Sequence, residues 1–453
     1  MRIRCFGIVP SALLSSALLA ACAGGSSATQ AAGIVPAGVQ RSGVSGSEAV
    51  PAHRASSAVR RTLSVPTCSS TGTGAFRGSA GGNGAQGDNP NIAGGEFAFV
   101  GAGSGNQACD GWSAVVGGYN NAVSTAAAGA GAASFIGAGE SNVITGADVS
   151  SAIVAGNSNQ IAASASAIVG GNANSVTVDF ALIGGGQFNT LNGNGRFGAI
   201  AGGFTNSLSA EYGFIGAGTN NNVSGEGGYI AAGGYNTVTG EGAVIDGGFD
   251  STASGAFGTI PGGYVNNAAG TYSFAAGARA SAPYTGNFVW SDGSDGDTIL
   301  TATKAYQFLA RASGGYTLYT NAAGTVGAQL AAGSGTWASL SDRRVKTAIV
   351  PLDDDAVLAK VATLPISRWS YKSEHGVRHV GPMAQDFYAA FKVGEDDRHI
   401  TSIDEDRVAL AAIKALHAEN AALRRTIAAM RAAQSAHDRR VDAELASLEA
   451  RSR

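Results

Sequence analysis

Between residues 100 and 268 the apolar positions recur at a long fixed interval rather than with a helical period. An aliphatic anchor is followed by Gly three residues on, Asn six residues on and a second apolar residue eight residues on. Val100, Val115, Ile136, Ile153, Ile168, Ile183, Ile200, Ile215, Ile230, Ile245 and Ile260 all serve as anchors. All eleven carry the Gly and ten carry the Asn, Ser251 being the exception. The usual step is 15 residues, widening to 21 after Val115 and to 17 after Ile136 and Ile183. Fifteen residues with two short apolar stretches, each followed by turn-prone residues, cannot make a helix pair, but they can make one coil of a β-solenoid. Gly at a fixed corner permits positive φ or close backbone approach. Asn at the next corner tolerates left-handed geometry and can hydrogen-bond to nearby backbone or to the Asn of the next coil. Anchor and eighth-offset residues would point inward, and eleven coils would stack to roughly 50 Å. The extra residues near 125–133 are expected as side loops.

After residue 340 the pattern changes. A helix is expected near 353–363, strands near 366–371 and 378–381, and a long helix from about Asp406 onward. Heptads there put Ile413, Asn420, Ile427, Gln434, Val441 and Leu448 at a, and Leu416, Leu423, Met430 and His437 at d. Polar a positions and Glu444 at d suit a coiled coil that sets register more than one of maximal stability.

Charge sharpens this division. Of 29 Lys and Arg, 18 lie beyond residue 340, and residues 91–300 hold only Arg196 and Arg279. A basic groove for nucleic acid is therefore absent from the repeats. All six histidines lie at His53 or from His375 onward, which excludes a Ser-His-Asp hydrolase or His-ligated metal centre in the array. Glu226 and Glu241 stack on one face, where a solvated acidic ladder is a better reading than a glycosidase pair. Asp292, Asp295 and Asp297 miss the calcium-loop spacing and read as a turn, so no metal or other cofactor is expected.

Two resemblances follow from these residues. Ser-Ala-Ile-Val-Gly-Gly at 166–171 and Gly-Ala-Ile-Ala-Gly-Gly at 198–203 resemble the head repeats of trimeric autotransporter adhesins, in which three chains each wind a narrow left-handed parallel β-roll. So thin a coil encloses little apolar area, and a shared axis between three copies would supply the missing core. The membrane-anchor barrel of that family is not seen, so a lipid would take its place. The hexapeptide Ser341-Asp-Arg-Arg-Val-Lys346 resembles the start of the peptidase S74 intramolecular chaperone domain that ends many phage tail spikes and bacterial surface fibres. His379-Val-Gly-Pro-Met-Ala-Gln-Asp386 and Val408-Ala-Leu-Ala-Ala-Ile413 continue that likeness. It implies a Ser341–Lys346 self-cleaving dyad, supported by His379, cutting the Leu340–Ser341 bond. Lys346 would have to act as a neutral base, which burial at a subunit interface or the nearby Arg343 and Arg344 would favour.

The first residues carry an export pattern: Arg2 and Arg4, then an apolar run from Ile8 to Ala20 too short to span a bilayer. Leu19-Ala-Ala-Cys22 resembles a bacterial lipobox, which makes Cys22 the lipidation site and, with Ala23 following, the outer membrane the expected address. Cys68 and Cys109 remain as a candidate disulfide in an oxidising compartment. The chain is thus expected to be mainly β: a lipoprotein signal peptide (1–21), a flexible linker (22–90), a left-handed parallel β-roll head (91–282), a neck (283–340), and a small α/β self-cleaving chaperone with a C-terminal coiled-coil helix (341–453). The whole reads as a lipid-anchored homotrimeric fibre whose head contacts a host surface or glycan, with no nucleic-acid partner. A phage-type tail spike that binds or cleaves glycans, and a passive structural surface protein, remain as alternatives.

Overall fold

The computed structural model describes residues 68, 72–78, 90–124, 133–146 and 150–452. The signal peptide, Cys22, most of the linker and residues 125–132 of the expected side loops lie outside the described residues. Each repeat forms two two-residue strands, as in Ala199–Ile200 and Ser207–Leu208. The first strand of every coil pairs in parallel with the first strand of the next, in register: Ala199 opposite Phe214 and Ile200 opposite Ile215. The second strands do the same, Ser207 opposite Asn222 and Leu208 opposite Val223. The result is a mainly β parallel solenoid with two long sheets, here called the anchor sheet and the return sheet, containing 16 and 14 described strands.

The core is a double column between them. Ile200, Leu208, Ile215 and Val223, like every other anchor and eighth-offset residue, are fully shielded from solvent. Parallel pairing does not stop at residue 282. It continues through Phe274–Ala278, Phe288–Asp292 and Phe308–Arg311, where smaller or irregularly spaced core residues (Ala275, Val289, Leu309) hide the repeat. The first part of the expected neck is therefore more solenoid.

The Gly and Asn columns explain why the coil closes at this size. Gly203 adopts φ +99°, and a Cβ there would lie 2.3 Å from the carbonyl oxygen of Gly218 in the next coil. Only glycine meets both demands. Asn206 is wholly buried, yet its side-chain amide is saturated. Nδ2 donates to the Gly202 oxygen (3.1 Å) and the Gly218 oxygen (3.0 Å), while Oδ1 accepts from the amide of Asn221 (3.0 Å). Leaving such a buried group unpaired would cost about 1–3 kcal/mol. At Ser251 the ladder thins: its amide is held by Asn236 and its hydroxyl accepts from Asn266, but nothing replaces the two Nδ2 donations.

A third column is unforeseen. The corner three residues before the anchor is left-handed in most coils, and aromatic rings occupy it more often than Gly227, Gly242 or Ala165 do. Phe180, Phe197 and Tyr212 (φ +57°, +58° and +56°) stack at 5.1 and 5.4 Å, with the Arg196 guanidinium over the first two rings. Such backbone strain costs on the order of 1–3 kcal/mol per residue, and ring stacking offsets part of it.

Past the solenoid, Gly315–Tyr319, Gly327–Ala331 and Ala338–Ser339 form a small antiparallel sheet. Then come helix α1 (Asp354–Thr363), a two-stranded ladder (Ser367–Trp369 with His379–Gly381), helix α2 (Ala384–Phe391) and the 50-residue helix α3 (Ser402–Arg451). Thr401 caps α3 by accepting from the amide of Asp404, and Asp404 and Glu405 in the first turn and Arg451 in the last complement its dipole. The small faces of Ala411 and Ala412 let α3 pack closely on Val357 of α1, and Lys414 pairs with Asp354 across the same contact. Beyond Ala415 nothing on α3 is buried, and its heptad positions Leu416, Leu423, Ile427 and Met430 are open.

Candidate functional site

The site lies where the small antiparallel sheet hands over to the helices. The amide of Leu340 donates to the Gly327 oxygen (3.3 Å), holding one side of the expected scissile bond to the sheet. On the other side a single 3-10 turn, Arg343–Val345, follows at once. Asp342 builds that turn. Its carboxylate accepts from the Arg344 amide (2.9 Å) and clamps the Arg344 side chain at 3.0 and 2.8 Å. The Arg344 side chain first, and its amide second, hold the Asp342 carboxyl below the usual carboxylate range.

The turn brings its two ends together: Lys346 Nζ lies 2.6 Å from Ser341 Oγ and donates to it. The Arg344 guanidinium is thus engaged by Asp342, and another cation reaches Ser341 from elsewhere. Arg407, on the first turns of α3, donates from its guanidinium to the same Ser341 Oγ at 2.9 Å. Ser341, Lys346 and Arg407 are all solvent-exposed in the single chain.

Residues 341–393 match the Peptidase_S74 family, described as chaperone of endosialidase, and the match begins at Ser341 itself. This segment is a Peptidase_S74 domain. It follows the solenoid directly after the antiparallel sheet, and α3 extends beyond it. A search of curated proteins finds no match to the chain.

Not every expected residue of the S74 site converges. His379 sits on the two-stranded ladder opposite Trp369, stacked on its ring at 4.7 Å, and its Nε2 meets Glu374 Oε2 at 3.0 Å. It makes no hydrogen bond with Ser341 or Lys346 among the described residues. The buried indole nitrogen of Trp369 beside it has no partner among them either. Arg407 is the residue that sequence reasoning missed. It is 66 positions from Ser341, and only the packing of α3 on α1 brings it back.

Elsewhere, Cys68 and Cys109 are joined by a disulfide with their Cα atoms 5.5 Å apart. The three aspartates of the expected turn all have protein partners. Asp292 accepts from the amides of Ser313 (2.6 Å) and Ser294 (3.0 Å), in that order of importance, and these bonds hold it far below the usual carboxylate range. Asp295 pairs with Arg311 and Asp297 with Arg279.

Proposed function

We propose that residues 341–453 are an intramolecular chaperone that brings three copies of the solenoid together and then frees itself by one self-cleavage at Leu340–Ser341. The observation that carries this reading is the Lys346–Ser341 contact of 2.6 Å at the first residue of an S74 domain. Ser341 Oγ attacks the Leu340 carbonyl carbon, and its proton passes to Lys346. The C–N bond to the Ser341 amide then breaks, with that nitrogen taking a proton, and Leu340 is left as an ester on Oγ. Water hydrolyses the ester, releasing the Leu340 carboxylate and a Ser341 amino terminus.

In the arrangement described, Lys346 and Arg407 both donate to Oγ, so the serine proton points elsewhere. Arg407 cannot give up its proton and keeps its role as a donor. Lys346 must shed one before the reaction can begin, and covering the exposed site with neighbouring subunits would favour the neutral amine. Cutting would thereby wait for assembly.

The rest of the proposal is the address: a lipid on Cys22 at the outer membrane, the linker as tether and the solenoid as an adhesive or envelope-contacting fibre. It rests on Leu19-Ala-Ala-Cys22 and on a repeat array poor in charge. The test is expression of the wild type beside Ser341→Ala and Lys346→Ala, followed by intact mass and native sizing. The reading expects a fragment starting at Ser341 from the wild type and an uncut trimer from both variants. An intact wild-type monomer would overturn it.

A further inference from the structure

The two solenoid sheets present very different outer faces. On the return sheet, the residue before each core position is mostly polar, as in Gln160, Ser175, Thr190 and Ser207. On the anchor sheet, the equivalent column is aliphatic or aromatic from Phe99 to Phe308 except at Thr259, with Tyr229 adding a phenolic hydroxyl, and it carries no charge. A second outward column, one residue after each anchor, is small or aliphatic until Asp246. Side chains here stand well out into solvent: Val154 and Val169 are each 49% exposed and Leu182 is 43% exposed.

From Phe99 to Leu182 the stripe is also level. Where the first outward position there is large the second is glycine, as in Phe135 with Gly137 and Leu182 with Gly184, and where the first is small the second is branched, as in Ala152 with Val154. The Phe135 ring lies across its glycine, 3.3 Å from where a Cβ would stand. Trading volume between neighbours in this way serves no purpose inside a single coil, because both side chains point away from the core. A level apolar face over these successive coils is instead what another rigid rod requires.

We infer that this face, the outer surface of the anchor sheet, is where two further copies of the chain pack, around an axis parallel to the solenoid. The inference rests on the trimeric reading above and assigns its contact surface. A second copy is the occupant because the partner must match the stripe rung for rung over its whole length. The stripe also ends at Phe308, on the chain path toward the small sheet and the S74 domain. Around a threefold axis each residue approaches its own symmetry mates, so a column there must avoid charge, as the first outward column does throughout and the second does up to Asp246. At about 4.8 Å per rung the stripe is about 60 Å long and on the order of 10 Å wide, or on the order of 600 Å² per copy. Shared between two neighbours, that is on the order of 300 Å² on each side of a contact, against about 800 Å² for a standard two-body interface, so the stripe is one part of the assembly surface. The exposed heptad seam of α3 would add to it.

The test uses the full chain. Val154→Cys and Val169→Cys report on the anchor face, and Thr177→Cys and Thr239→Cys on the return face; their maleimide labelling is measured against wild type, with sedimentation velocity on each sample. The expected result is a trimer in which positions 154 and 169 label at least 10-fold more slowly than 177 and 239. Paired arginine variants give a second readout. Val154→Arg with Val169→Arg should lose the trimer while keeping its β circular dichroism, and Thr177→Arg with Thr239→Arg should keep both. A trimer with fast labelling at 154 and 169 would overturn the assignment of the face and leave the chaperone reading standing. A folded monomer would overturn both.

Discussion

The solenoid and the S74 region solve the problem of burying a core in opposite ways. In the solenoid every inward position is filled, and its buried amides find partners within the chain, as Asn206 shows. Each coil depends only on the coils above and below. The C-terminal region has few wholly buried side chains, chiefly Val357, Phe387 and three alanines of α3, while Leu416, Leu423 and Met430 lie open along a helix of about 75 Å. Its reactive groups are open as well. One part is internally complete except for a single face; the other is built to be completed by something else.

The strongest way to break this comparison is at the dyad. Ser341→Ala should abolish the fragment that begins at Ser341, with no loss of β signal from the solenoid. Cleavage that persists, read by intact mass, would remove the chemistry proposed for this site. Next in size is Gly203→Ala. Backbone strain and a Cβ at 2.3 Å from the Gly218 oxygen should together cost about 3–5 kcal/mol, seen as a lowered unfolding midpoint with cleavage retained at permissive temperature. Arg407→Ala should slow cleavage about 10- to 100-fold in a gel time course, and Arg407→Lys should recover part of the rate, since a single donor replaces the fork. Ser251→Asn should do the reverse of damage, restoring the missing Nδ2 donations for a gain of about 0.5–1.5 kcal/mol in chemical denaturation.

The smallest effect is a matter of pH. The Asp342 carboxyl is depressed in the folded turn, so its contribution is present above the ordinary carboxylate pKa and is lost only as pH falls through the lower folded value. Between about pH 5 and pH 9 it stays charged. A cleavage rate that climbs with pH in that window would therefore report a group other than Asp342, as expected where the Lys346 amine must be neutral to take the serine proton. A profile falling with rising pH would contradict the assigned base.

What could be read from the chain alone follows from where information is repeated or local. The Gly and Asn columns were legible because each coil states the same steric demand again, whereas Ser341 with Lys346 was implied by the likeness of Ser341-Asp-Arg-Arg-Val-Lys346 to the S74 family and not by spacing alone. Arg407 was hidden by 66 residues of intervening chain, and its role exists only once α3 lies on α1. Helix α2 is eight residues long and begins after Met383 without a capping side chain, so no start signal marks it. The coils beyond Ile260 lost their signature when alanine replaced isoleucine and the spacing slipped. The aromatic corners were unreadable for a different reason: a left-handed position normally announces itself through Gly or Asn, and here Phe and Tyr take it at a cost.

Register has a last consequence, for length. Because each rung is hydrogen-bonded only to its immediate neighbours and the column repeats every 15 residues here, excising residues 201–215 would join Ile200 to Gly216 with every column unbroken. The rod would be shorter by one step of about 4.8 Å and otherwise the same. Reach is thus a quantity that whole-module deletion or duplication can adjust without disturbing the machinery at the far end, so this architecture can vary how far it extends far more readily than what its terminus does.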